Sequence, residues 1–136
     1  MEYIDSNIFI LAALASDQRA ISAQKILQEI IGGKRKALTS TLTFDEIVWV
    51  FLKHTRNREA SIEQGQRILL FDNLSIASVT EENVRISFSL MKKYSVLKPR
   101  DAIHLAVALS ANASAFITDD SDFLVIKEIK IIPLVH

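Results

Sequence analysis

Cysteine is absent from the sequence, which removes thiolate nucleophiles, disulfide staples and cysteine-ligated zinc at once. Glycine occurs three times and proline twice in 136 residues. No Pro/Gly/Ser-rich linker or internal repeat breaks the chain, so a single domain over residues 1–136 is expected. Neither G-x-G-x-x-G nor G-x-x-x-x-G-K-[ST] occurs, which argues against nucleotide binding through a phosphate loop. No apolar run approaches the ~20 residues a bilayer span needs. The opening Met1–Asn7 has neither the basic start nor the apolar centre of a signal peptide, and a cytoplasmic protein without membrane contact is expected. Net charge is missing too, because 16 Lys and Arg balance 16 Asp and Glu. Proteins that hold nucleic acid by bulk charge are usually basic, so any such role here must rest on local patches or bound cations.

The charge that is present is uneven. Lys34-Arg35-Lys36, the stretch Lys53–Arg58 and Lys92-Lys93 are basic, whereas the first residues are acidic. Each basic cluster also reads as a solvated helix end. Short apolar runs alternate with helical patterns. Glu2–Ile4 reads as a strand, followed by a helix capped by Ser6 or Asn7. Ala20, Ala23, Ile26, Leu27, Ile30 and Ile31 keep helical spacing until Gly32-Gly33 stops them. A strand at Lys36–Ser40 precedes a helix over Thr41–Thr55 that is apolar on nearly every face and is therefore expected to be central. Further helices are predicted over Ser61–Phe71, from Thr80 to about Tyr94, and from Pro99 to Ala111. Further strands are predicted over Leu74–Val79, Ser114–Thr118 and Lys130–Val135. The alternation predicts an α/β fold with a mostly parallel sheet of about five strands covered on both faces. Functional groups in such sheets gather beyond the carboxyl ends of the strands.

The acids fall at those ends. Asp5 closes the first strand, Asp119, Asp120 and Asp122 follow the fourth, and Asp101 lies in the first turn of the helix from Pro99. Taken singly, each has a plain alternative as a cap, a dipole partner or a turn residue. Glu46 is harder to explain that way, because the unbroken apolar run Ile47–Leu52 follows it, and an ionised carboxylate near a core needs a partner. Asp45 is its rival, about 100° round the helix. Leu42, Trp49 and Val50 flank the direction of Glu46, which favours Glu46. Four carboxylates with few other candidate ligands suit a hard cation, Mg²⁺ or Mn²⁺.

Four segments in this order, YIDSNIFI from Tyr3, FDEIVWVF from Phe44, KPRDAIHLAVAL from Lys98 and FITDDSDF from Phe116, resemble the PIN domain. Their nearest likeness is to the small prokaryotic ribonuclease toxins of the VapC type. The resemblance implies a three-layer α/β/α sandwich and a Mg²⁺- or Mn²⁺-dependent endoribonuclease leaving 5′-phosphate and 3′-hydroxyl ends. It implies that Asp5, Glu46, Asp101 and Asp120 are the catalytic acids and metal ligands, with Asp122 a further acid and Asp119 a variable position expected to face water. Ser6, Asn7 and Thr118 are candidates for orienting the acids by hydrogen bonds. His104 is read as a packed or hydrogen-bonded helix residue. Lys34, Arg35 and Lys36, or Arg56 and Arg58 with their neighbours, are candidates for holding the RNA backbone, and Arg100 for pairing with a carboxylate or a phosphate.

The resemblance also implies a homodimer and a small cognate antitoxin, with the apolar segment Ile8–Leu14 a candidate for part of an interface. Two other classes of function remain. One is a PIN-like module that has lost activity and acts by binding. The other is a phosphohydrolase with Asp5 as nucleophile, although such enzymes usually carry a second Asp where this chain has Asn7.

Overall fold

The computed structural model describes residues 1–135. Five strands form one sheet: β1 (Glu2–Ile4), β2 (Ala37–Ser40), β3 (Leu74–Ala77), β4 (Ala115–Thr118) and β5 (Lys130–Pro133). Their order is β3-β2-β1-β4-β5 and every pairing is parallel. The helices are α1 (Ser6–Leu14), α2 (Gln18–Ile31), α3 (Thr41–Thr55), α4 (Arg58–Leu69), α5 (Glu81–Lys93) and α6 (Pro99–Ser110), with a 3-10 turn over Ser121–Val125. Among the described residues no helix is long and apolar enough to cross a membrane.

Strand alternation sorts the apolar residues into two cores. Tyr3, Leu38 and Phe116 face one side of the sheet with Leu90 of α5, Leu97 and Leu105 from α6 and its approach, and Phe123 of the 3-10 turn. Ile4, Ala37 and Ile117, each next in sequence to one of those strand residues, face the other side with Ile8, Phe9, Ala23, Ile30, Ile47, Phe51 and Ile68 from α1 to α4. Strands run outward in one direction from β1 to β3, and the chain then returns to β4 on the other side of β1. Right-handed crossovers require the returning helices to lie on the opposite face, and α5 and α6 do. The result is the α/β/α sandwich the sequence predicts.

The structure corrects three local expectations. Asp5, rather than Ser6 or Asn7, caps α1. Helix α4 starts at Arg58, ahead of the expected Ser61, because Asn57 accepts from Ala60 N–H at 3.0 Å and supplies an earlier cap. Ser61 is buried one turn inside, donating back to the Asn57 carbonyl at 2.7 Å. Helix α3 is not the central one. Only Thr43, Ile47 and Phe51, a single stripe at four-residue spacing, are buried in it, and Trp49 is 52% exposed. The central helix is α6, where Ala102, His104, Leu105, Ala106, Val107 and Ala108 are all buried, and its alanines admit close approach to the sheet. In the candidate interface segment Ile8–Leu14, Ile8 and Phe9 are buried, and Ile10, Leu11, Ala12 and Leu14 are partly buried and packed against the second core.

Phe116 lies at the centre of the first core, stacked on Tyr3 at 5.2 Å and tilted against Phe123 at 4.6 Å between ring centroids. Phe116→Ala is expected to cost about 3–5 kcal/mol, read from urea unfolding midpoints.

Candidate active site

Strand order reverses between β1 and β4, and in open parallel sheets the crevice at that reversal is where ligands bind. Asp5 leaves β1 there, its N–H still bonded to the Ile117 carbonyl of β4 at 3.0 Å. Its carboxylate is buried and accepts four hydrogen bonds: Ser6 N–H at 2.8 Å, the Thr118 hydroxyl at 2.7 Å, the Asn7 amide at 3.2 Å and a longer one from the Ser6 hydroxyl at 3.5 Å. Thr118, the last residue of β4, accepts in turn from Asp120 N–H at 3.0 Å and from the Asn7 amide at 3.2 Å. Asn7 also accepts from Asp119 N–H at 3.2 Å. The ends of the two strands are therefore laced together through Asn7 and Thr118, and this lacing fixes where Asp5 and Asp120 stand.

Asp101 arrives from a third direction, on the first turn of α6. Burial, together with the charges of Asp5 and Asp120, pushes its pKa up to about 6, against the opposing pull of Lys98 N–H and His104. Burial likewise raises Asp5, opposed by His104 and Thr118. Asp120 caps the 3-10 turn, accepting from Asp122 N–H at 2.9 Å. Asp122 thus meets Asp120 through its backbone.

Glu46 turns inward from α3, its side chain 18% exposed, while Asp45 is 65% exposed and lies 3.8 Å from Arg100. The partner an inward Glu46 requires is His104, whose Nε2 is hydrogen-bonded to its carboxylate and stands 4.0 Å from Asp5 Oδ1. Burial pushes the imidazole down, but the Glu46 hydrogen bond and the charges of Asp5, Glu46 and Asp101 outweigh it and raise its pKa. The sequence gives a signal for this contact, since a carboxylate facing a core must be paired. Its spacing from His104, 58 residues, does not announce it.

The basic candidates divide. Lys34, Arg35 and Lys36 precede β2, so they sit at the amino edge of the sheet, opposite the acids, and Arg35 is engaged by Glu2 at 2.7 Å and Glu29 at 3.3 Å. Arg56 follows α3, about 15 Å along the axis from Glu46, and Arg58 opens α4 beyond it. Neither patch adjoins the acid cluster. Arg100 does adjoin it, one residue from Asp101. So does Arg19 of α2, which sequence reasoning missed: its guanidinium lies 3.8 Å from Asp119 and 3.1 Å from Asp17. Asp119, expected to face water, is 16% exposed.

A PIN domain family model matches residues 3–129. The chain belongs to this family. Solved structures similar to this PIN domain include a toxin–antitoxin complex from Klebsiella pneumoniae (TM-score 0.71, 22% identity, covering 99% of this chain and 98% of that one). VapBC2 from Rickettsia felis, bound to a DNA fragment from its promoter, gives a TM-score of 0.76 at 15% identity, covering 98% of each chain. VapC20 from Mycobacterium tuberculosis, a sarcin-ricin loop cleaving toxin, gives 0.75 at 16% identity, covering 95% of this chain and 98% of that one. At these identities the likeness is one of fold. No curated protein sequence shows significant similarity to the chain.

The donor set of this PIN domain, carboxylates with threonine and asparagine around them, is that of a hard-cation site. Among the described residues, however, no three His, Asp or Glu side chains close around one point as ligands of a single ion. The acids stand as mutually repelling neighbours. Folded Asp101 keeps its proton to about pH 6, whereas an unfolded aspartate releases it near 3.8, so the native state binds more protons in that window and stability falls as pH rises through it. Asp101→Asn is therefore expected to raise the melting temperature above wild type at about pH 8 in the presence of chelator. The gain should vanish at about pH 4, as followed by thermal melts.

Proposed function

We propose that this PIN domain is a Mg²⁺- or Mn²⁺-dependent endoribonuclease and the toxin of a type II toxin–antitoxin pair. The observation that carries the reading is the convergence of Asp5, Asp101 and Asp120 from β1, α6 and β4 at the reversal of strand order, with the pKa of Asp101 raised to about 6 by burial and by the other two. Placing like charges together in a partly buried crevice costs stability. The arrangement makes sense where a cation and a phosphodiester occupy it.

Asp5, Asp101 and Asp120 would hold the ion, directly or through water, with Glu46 as the fourth acid and Asp122 as a further one. A bound divalent cation would offset the repulsion among these carboxylates and supply Lewis-acid stabilisation to the phosphate. Thr118, Asn7 and Ser6 N–H keep the Asp5 carboxylate in one orientation through the bonds described above. A carboxylate of the group not engaged by the ion would accept the proton of the attacking water, and hydrolysis would leave a 5′-phosphate and a 3′-hydroxyl. Arg100, next to Asp101 in the chain, and Arg19, 3.8 Å from Asp119, are candidates for meeting the RNA backbone.

The toxin assignment draws on the PIN family match and on the fold shared with toxin–antitoxin complexes. A small antitoxin and a second copy of the chain are the expected partners. Purified protein is expected to cut RNA with Mg²⁺ or Mn²⁺ and to stop on addition of chelator. Asp5→Asn and Asp101→Asn should lower the rate by at least ~10²-fold with the fold retained by circular dichroism. Metal-independent cleavage, or equal rates in the variants, would contradict the assignment. RNA binding without cleavage would favour the inactive binding module.

A further inference from the structure

Of the four acids, Glu46 is held differently from Asp5 and Asp120. Asp5 is bonded by Ser6 N–H and Asp120 by Asp122 N–H, so each of these has a backbone donor. Glu46 reaches inward on a longer, more flexible side chain, and among the described residues its side-chain hydrogen-bond partner is His104 Nε2. Resting on the metal-dependent reading above, we propose that His104 is a positioning residue: anchored by Tyr3 and Ser40, it fixes the Glu46 carboxylate toward the acid cluster.

The anchor is unusually complete. His104 is 1% exposed, and its other ring nitrogen, Nδ1, meets the Tyr3 hydroxyl at 2.7 Å. Tyr3 donates onward to Ser40 Oγ at 2.9 Å. The Tyr3 ring stands edge-on to the imidazole, with centroids 5.8 Å apart and planes at 66°, and is itself stacked flat on Phe116. With both nitrogens engaged and the ring wedged against an aromatic stack, the imidazole cannot swivel without breaking both hydrogen bonds.

Ser40 gives a second, independent sign that this chain of contacts has a purpose beyond filling space. It occupies the N-cap position of α3, where a serine side chain ordinarily accepts from a backbone N–H of the first turn. Here it makes no such bond, and its hydroxyl serves Tyr3 instead. The helix that carries Glu46 thus gives up its own cap to a chain that runs Ser40, Tyr3, His104 and back to Glu46. That chain ties the start of α3 to its inward carboxylate by way of β1 and α6. An apolar residue in place of His104 would pack against the sheet but would leave Glu46 without a partner near the core.

The two ring nitrogens allow a test by amide substitution. His104→Gln places an amide near the position of Nε2 and keeps a donor for Glu46. His104→Asn places one near Nδ1, keeping Tyr3 but releasing Glu46. Mn²⁺ affinity of the RNA-free protein, followed by electron paramagnetic resonance, is the readout, with thermal melting to verify folding. His104→Asn is expected to weaken Mn²⁺ binding about 10–100-fold, as loss of an outer hydrogen-bond partner does elsewhere, and His104→Gln to restore most of it. Tyr3→Phe, which preserves the aromatic stack, should weaken it in the same direction and decides the matter if His104→Asn fails to fold.

Glu46→Gln separates the two levels of inference. If it weakens Mn²⁺ binding while folded His104→Asn and Tyr3→Phe bind like wild type, the positioning role is wrong and the metal reading stands. Equal loss in the Asn and Gln variants would mean a packing role and would also overturn it. Wild-type protein that holds no Mn²⁺, or binding untouched by Glu46→Gln, would overturn the underlying assignment and this inference with it.

Discussion

Like charges are brought together in this protein by a sheet that changes direction. Because β4 returns beside β1, the residues that follow these two strands must share one crevice, and both carry aspartate. Asp101 at the start of α6 completes the crowding, and its raised pKa records the cost. Most other polar features near the carboxyl edge serve to hold this arrangement in place. Thr118 and Asn7 lace the two strand ends, Asp5 doubles as the cap of α1, and Asp120 doubles as the cap of the 3-10 turn. The same residues that terminate the secondary structure therefore carry the charge. The plain and the chemical readings of these acids are both true of the same atoms.

That double use explains why much of the site was legible in the sequence. Strand ends are marked by short apolar runs, and parallel sheets put such ends on one edge, so Asp5 and Asp120 could be placed together before any coordinates. Asp101 followed from Pro99, which opens a helix at its first turn. Glu46 could be preferred to Asp45 from the apolar residues around it, and the structure does turn Glu46 inward and Asp45 out. Physical periodicity carries this kind of information, because each element's buried face is written in its own residues.

What stayed hidden depended on contacts between distant segments. The pairing of His104 with Glu46 joins α6 to α3, and neither helix's pattern specifies which residue of the other it meets. Helix α3 looked central because its many apolar residues mask the narrow stripe that is buried, and Trp49 remains half exposed. The position of the basic patches relative to the acids was hidden for a similar reason. Clusters such as Lys34–Lys36 are conspicuous in a linear reading, but the strand direction sends them to the amino edge, whereas the single residues Arg19 and Arg100 lie beside the acids without any sequence clustering.

In the proposed function, the carboxylates at the strand reversal repel one another in the free protein and are relieved by a divalent cation. Carboxyl carbon NMR of Asp101 across a pH titration, with and without Mg²⁺, tests this most directly. A midpoint near 6 in the metal-free protein that falls well below 4 on adding Mg²⁺ is the expected result. A metal-free midpoint close to 3.8, or one near 6 that saturating Mg²⁺ leaves unmoved, would contradict it.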